Sequence, residues 1–436
     1  MHPKELRLHS AGGSSAVAFQ DKGKLAPAQA QGRCSSPPDM AYGRTSQEKM
    51  YNPAAGGVQR MVDRRDFMVT GGLAGAAVAF ATRSPGAAAG FANVTYARAT
   101  VIDALGGPGE PGAKPDTPLS AKALDDVRAS GLTAANVTVS GVGSYAKDYD
   151  ATIRNIAYWN AQIAAHPDVL LLVRKAADIA EAKRSRRLGL IFGFQDATPI
   201  AEDLERVDTF GELGVRVFQL TYNRRNLVGD GCLEPGNAGL SKFGQSYVER
   251  LNERRYLIDL SHGGERTTRE AIAASKAPIA ISHTGCAALV PLPRNKTDAE
   301  LKQLADKGGV VGIYLMPFLR SAGQPTAEDL VSHIEHAVGV CGEDHVGIGT
   351  DGTISPVNFD DAFRAKFAAE VAERRAAGIS APGERPDVYT FLPDLNSADR
   401  FLHIAALLSK RGFSDERIAK ILGANFARLF ATVWGG

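Results

Sequence analysis

Two stretches of this chain end in the same pair of residues. Tyr256-Leu257-Ile258-Asp259-Leu260-Ser261-His262 and Ala277-Pro278-Ile279-Ala280-Ile281-Ser282-His283 are apolar runs that each close on Ser-His. Imidazoles at matching heights on neighbouring parallel strands, about 4.8 Å apart, can reach one metal ion. A third run, Val346-Gly347-Ile348-Gly349-Thr350-Asp351, closes on a carboxylate. That group suits a general base or a partner for a substrate ammonium, and equally a cap or turn residue. Pro293-Arg294-Asn295 offers a guanidinium able to grip a carboxylate with two prongs, or else a surface arginine beside a proline. The remaining histidines lack such a setting: His333 and His336, at i,i+3, read as a solvated helix face, His345 precedes the run at Val346, and His403 falls inside a late helix. Cys286, three residues after His283, reads as a buried spacer near a strand end rather than a nucleophile.

Such groups act together only if the backbone delivers them to one rim. From Thr100 onward, short β-branched or apolar runs alternate with amphipathic segments, the pattern of repeated βα units on a parallel sheet. The expected strands are Thr100–Ala104, Thr133–Val139, Leu188–Phe194, Val215–Thr221, Tyr256–Ser261, Pro278–Ser282, Val310–Leu315 and Val346–Thr350. Eight is the number of a (β/α)8 TIM barrel, where reacting groups lie at the C-terminal ends of the strands. An open doubly wound sheet fits the alternation too, but no GxGxxG follows the first strand. Helical spacing runs through Lys242–Arg254, Glu265–Ser275, Asp298–Lys307 and Ala327–Val340, and again through Phe359–Ala377, Ala398–Lys410 and Ser414–Phe430 after the last strand.

A length of 436 residues accommodates one large barrel with appendages, and 44% hydrophobic and 22% charged residues exclude a coiled coil, a disordered chain or a multi-span membrane protein. Residues 1–60 hold 8 Lys+Arg against 4 Asp+Glu and residues 61–89 hold 3 against 2, which leaves 39 against 42 from Gly90 on. The slightly acidic body gives no sign of a nucleic-acid surface. Cys34, Cys232, Cys286 and Cys341 form no CxxC, which argues against a cysteine zinc site or a dense disulfide framework. Residues 1–60, rich in Gly, Ser, Pro, Ala and Gln, read as a disordered or non-native extension. Arg64-Arg65, the apolar run Val69–Ala81 and the small residues Ala87–Ala89 resemble a twin-arginine export signal, too short to span a bilayer. With translation starting near Met61, the product would be exported to the periplasm, its barrel and C-terminal helices occupying residues 90–436.

Several segments also carry a family likeness. Leu213-Gly214-Val215-Arg216 through Asn223, Gly239-Leu240-Ser241-Lys242-Phe243-Gly244, both Ser-His endings, Arg294-Asn295, the Gly-Ile-Gly-Thr-Asp run and Lys420-Ile421-Leu422-Gly423-Ala424-Asn425-Phe426 resemble the renal (membrane) dipeptidase family, peptidase family M19. The likeness extends in order from about Thr100 to Phe430. It implies a metal-dependent hydrolase barrel that cleaves dipeptides and related amides at a two-zinc centre. By the same likeness His262 and His283 would bind the second metal, Arg294 would hold the substrate carboxylate, and Asp351 would meet its amino group or shuttle a proton.

The chain departs from the family at the first metal. Where the family has Asp-Gly-His-Asn-Asp, this sequence has Asp103-Ala104-Leu105-Gly106-Gly107, so both ligands are replaced. Gln195 takes the place of the bridging glutamate, and Tyr222 that of a histidine thought to steady the tetrahedral intermediate. A phenol can still donate to an oxyanion. Two dications facing almost wholly neutral ligands would repel each other, so the expectation is one zinc or other divalent ion on His262 and His283, completed by Gln195, Asp103 and water. Asp351 and Tyr222 are then the catalytic residues, and Arg294, Tyr222 and Asp351 bind a small-molecule substrate, a dipeptide or small amide. Neither nucleic acid nor a stable membrane span is expected, and a homo-oligomer is compatible with the sequence. The alternative is a catalytically inactive barrel of the same ancestry that binds or regulates.

Overall fold

The structure, a computed structural model, describes residues 96–112 and 117–435. The extension at 1–60 and the export-signal segment at 61–89 lie outside the described residues. Eight parallel strands follow one another around the sheet in chain order: β1 (Ile102–Asp103), β2 (Ala134–Thr138), β3 (Leu188–Phe194), β4 (Val215–Gln219), β5 (Leu257–Asp259), β6 (Ala280–Thr284), β7 (Val310–Ile313) and β8 (Val346–Ile348). The circle closes where Ala104 N donates to Ile348 O at 3.0 Å and Asp351 N to Leu105 O at 2.8 Å. A short parallel pair, Gly106–Gly107 with Gly352–Thr353, extends that seam outward. Helices alternate with the strands, as the sequence pattern predicts for a TIM barrel.

Leu188–Phe194 fits its apolar run end to end and Ala280–Thr284 is displaced by two residues from Pro278–Ser282; the other six strands are shorter than the runs that announced them, and one further strand, Leu170–Leu172, pairs with the first half of β3. Local chemistry sets the helix starts. Ser241 Oγ accepts from Gly244 N at the head of Lys242–Glu253, and Thr297 and Glu300 form a reciprocal capping box at the head of Asp298–Asp306.

The interior of the barrel is filled from below. Ile102, Ala134, Ile191, Val217, Leu257, Ala280 and Val310, one from each of seven strands, form a cluster with Phe426, Leu429, Phe430 and Val433 of the closing helix Asn425–Trp434. The segment expected as one helix over Ser414–Phe430 is in fact broken into Asp415–Ala419, a π-turn at Lys420–Ala424 and the closing helix. The break is a packing solution: a Cβ on Gly423 would stand 2.5 Å from Thr100 O and 2.6 Å from Ile102 N, so only glycine lets this turn press on the start of β1. Gly347 similarly makes room for the Phe426 ring, while Gly349 admits the Ser282 carbonyl, which explains the glycine spacing of the Gly-Ile-Gly-Thr-Asp run. Among the described residues no helix is long and apolar enough to cross a membrane.

Candidate functional site

The register pairs Asp259 of β5 with Ala280 of β6, which puts His262 and His283, each three residues further on, at one height. Their rings are buried at 3% and 0% exposure, 4.9 Å between centroids, with the two Nε2 atoms 2.9 Å apart. Each Nδ1 is committed elsewhere. Asn223 Nδ2 donates to Ile379 O at 2.8 Å, which leaves Asn223 Oδ1 to accept from His262 Nδ1 at 2.6 Å. Ser282 Oγ donates to Asp259 Oδ2 and accepts from His283 Nδ1 at 2.8 Å. Both Nε2 atoms therefore carry lone pairs, and burial followed by the charge of Arg294 holds both imidazoles neutral, well below the usual histidine range. Asp259 is itself pushed up by burial, against its serine hydrogen bonds.

Arg294 is not on the surface. It is 2% exposed, donates through Nη1 to Ser261 O at 2.6 Å and through Nη2 to His262 Nε2 at 3.2 Å, and among the described residues pairs with no carboxylate. A buried guanidinium that feels Asp351 only at a distance and forms no ion pair among the described residues is placed to grip an anion. Across the site, Asp351 Oδ2 lies 4.0 Å from His283 Nε2, and Oδ1 accepts from Gln195 Nε2 at 3.4 Å. Burial pushes the Asp351 carboxyl up to about 6, against the pull of Arg294 and Gln195. Its backbone is left-handed, with φ 57°, a conformation that costs a residue other than glycine ~1–3 kcal/mol and tends to occur where function demands it.

Tyr222 stacks on His262 with centroids 4.2 Å apart and planes at 25°. Its hydroxyl receives both Nη atoms of Arg374 at 3.4 Å, and Arg374 is clamped by Glu384 at 2.8 and 2.9 Å. Burial raises the phenol above its ordinary value while Arg374 draws it back. Arg374 has no counterpart in the reading of the sequence. It lies on the rim helix Asp361–Ala376, beyond the eighth strand, and nothing in its local sequence marks it as aimed at the centre. Asn223 and Asp259 carry no expectation from the sequence either, although an aspartate inside the apolar run Leu257-Ile258-Asp259-Leu260 is itself a signal of a buried polar role.

Asp103 is not brought to the imidazoles. Thr350 N donates to its Oδ1 at 2.8 Å and Thr350 Oγ1 to its Oδ2 at 2.6 Å, so its carboxylate ties the β1–β8 seam and both oxygens are used. Burial raises it to about 7, above what the Thr350 bonds offset. His333 is likewise a correction. Instead of facing solvent it is 1% exposed, accepting from Cys286 N at 2.9 Å through Nδ1 and donating from Nε2 to Leu319 O at 3.1 Å. Cys286 is the buried spacer expected, its thiol raised by burial.

The donors themselves show what charge the site suits. Two imidazole lone pairs facing each other at 2.9 Å repel unless positive charge lies between or beside them, and neutral imidazole is the form that ligates metal. The nearest anionic oxygen is that of Asp351. Among the described residues no three His, Cys, Asp or Glu side chains gather around one point. Leu105 and Gly107 stand where the family resemblance would put first-metal ligands.

Comparison with known proteins agrees with this architecture. The family described as membrane dipeptidase (peptidase family M19) matches residues 121–380. Dipeptidase verJ of Clonostachys rogersoniana is 31% identical over 288 residues, and dipeptidase ataJ of Aspergillus terreus 29% over 308. The matched stretch covers 65% of this chain in both cases, and 65% and 67% of those relatives. Among solved structures, an amidohydrolase from Pseudomonas aeruginosa is 33% identical, with a TM-score of 0.66 over 79% of this chain and 99% of its own. A metallopeptidase described as dipeptidase AC shares the fold at 18% identity and a TM-score of 0.62, covering 78% of this chain and 99% of its own. On the strength of the matched region and of the barrel that carries it, this chain belongs to the membrane dipeptidase family, peptidase family M19, a family of metallohydrolases.

Proposed function

We propose that the chain hydrolyses dipeptides or related small amides with a single divalent cation, zinc being the ion that paired imidazoles suit. The observation that carries this reading is the His262–His283 pair, whose Nδ1 atoms are held by Asn223 and Ser282 so that the two Nε2 atoms converge. The two histidines would hold the ion, with Asp351 or Gln195 as the nearest further donors. When bound, such a cation polarises the scissile carbonyl and eases deprotonation of water. The chain's own residues do the rest. Arg294 grips the substrate carboxylate from a buried position, where a charge-assisted pair is strongest. Asp351 meets the ammonium or accepts the proton released in the attack, and its raised carboxyl suits proton exchange near neutrality. Tyr222, backed by Arg374, donates to the oxygen on which charge develops. Export rests on the twin-arginine-like segment at 61–89 alone.

Elemental analysis of full-length protein purified without chelator, joined to a dipeptide-library assay, tests the reading. About one ion per chain, with turnover lost in His262→Ala, is the expected result. A preparation free of metal that still binds dipeptides would favour the second reading, an inactive binding barrel, for which the replacements Leu105, Gly107 and Gln195 speak.

A further inference from the structure

Asp351 lines two cavities at once. One, of about 250 Å³, opens over Gln195 on the β1 side of the rim. The other, of about 260 Å³, runs from Asp351 beneath the rim helix, and nothing in the chemistry above uses it. Its wall is aromatic and aliphatic: Phe363 and Phe367 of the rim helix, Phe391, Leu392 and Leu395. Phe363 and Phe367 stack at 5.8 Å with planes 16° apart, and Phe391 meets Phe363 edge-on at 6.0 Å and 71°. The charged members of the wall are accounted for. Lys366 and Glu370 are exposed at the mouth, and buried Arg400 spends its nitrogens on the carbonyls of Ser397, Thr353 and Ile354.

Ser355 also borders the cavity, but it is 1% exposed and its Oγ is closed to a water-sized approach, so the surface a ligand meets is the apolar one. The cavity exceeds the ~150 Å³ that suffices for a benzene ring in an apolar site.

We propose that this cavity receives the side chain of the substrate's amino-terminal residue and selects an aromatic ring, a phenylalanyl side chain above all. The assignment rests on the dipeptide reading given above, because an ammonium held at Asp351 sets the adjoining side chain at the cavity's entrance. The ring then packs among Phe363, Phe367 and Phe391.

Two measurements on the full chain separate this proposal from the reading beneath it. kcat/KM is determined for Tyr-Ala, Phe-Ala, Leu-Ala and Ala-Ala, and binding of the same four peptides is followed calorimetrically on His283→Ala. The expected order in both is Phe first, Tyr at or below it, then Leu and Ala, with Phe-Ala roughly tenfold above Ala-Ala from ring burial and packing. Phe367→Ala should flatten the series, and Phe363→Ala, at a less buried position, repeats the measurement if Phe367→Ala does not fold. Turnover without side-chain preference, or an aromatic preference that survives the phenylalanine variants, overturns the pocket and leaves the hydrolase reading intact. Binding in the expected order without turnover in the parent chain overturns the hydrolase reading and supports the pocket; no turnover and no binding overturns both.

Discussion

At the scale of single residues, the centre is governed by what stands behind the groups that face it. Asn223 sets the tautomer of His262 through its 2.6 Å contact and is itself aimed by Ile379 O. Asn223→Ala should therefore weaken cation binding about 10–100-fold, read by competition with a chromogenic chelator, with the fold unchanged. Unaltered affinity would mean that the imidazole is oriented by packing alone. On the proposed hydrolase reading, Tyr222→Phe removes a donor to the developing oxyanion and should lower kcat roughly 100-fold with little change in KM. Arg374→Met should lower kcat about tenfold through the misplaced phenol, and should also destabilise the chain by ~1–3 kcal/mol, because Glu384 is left buried without its partner. Adding Glu384→Gln should restore the stability and not the rate. A double variant that recovers both would reduce Arg374 to a structural clamp. The Ser-His endings, Arg294 and Asp351 could be read from the sequence because each stands where an apolar run stops or soon after. Arg374 could not, since it reaches the centre from the rim helix, and that reach depends on the path of the chain after β8.

Elements tell a similar story of partial legibility. Periodicity located all eight strands, because buried parallel strands are continuous apolar runs. It overran six of them, matched Leu188–Phe194 end to end, and missed Leu170–Leu172, three leucines too few to show a period. What periodicity could not show is how the last strand meets the first. Asp103 looked like a candidate ligand because it begins the stretch in which the family's first-metal ligands would lie, yet its oxygens are taken by Thr350 across the seam. That use has a pH signature. The folded-state value is about 7 against an ordinary 3.8, so between these limits the folded chain keeps a proton that the unfolded chain releases. Stability from this group is full below the lower limit and is lost as pH rises through the upper one. Asp103→Asn, which mimics the protonated form, should flatten the fall of the urea midpoint over that window. An unchanged slope would show that the seam aspartate is ionised throughout.

For the whole molecule, the decisive joint lies at the opposite end of the barrel from the chemistry. The Lys420–Phe426 segment could be recognised in the sequence by likeness alone; the coordinates supply its reason, a turn so close to β1 that a Cβ at Gly423 would meet backbone atoms. Gly423→Ala should cost about 1–3 kcal/mol as the overpacked turn lifts the closing helix, visible as a lower urea midpoint. A midpoint equal to the parent's would show that the turn can shift without loss. The same joint sets a timetable for biosynthesis. Strand β1 leaves the ribosome more than three hundred residues before Gly423, the residue packed against it. At ~5–20 residues per second the first strand waits on the order of tens of seconds for its floor. Throughout that interval Ile102 and its neighbours are open to chaperones or to other nascent chains, so the yield of this protein should respond to translation speed and to holdase supply more than its finished stability would suggest.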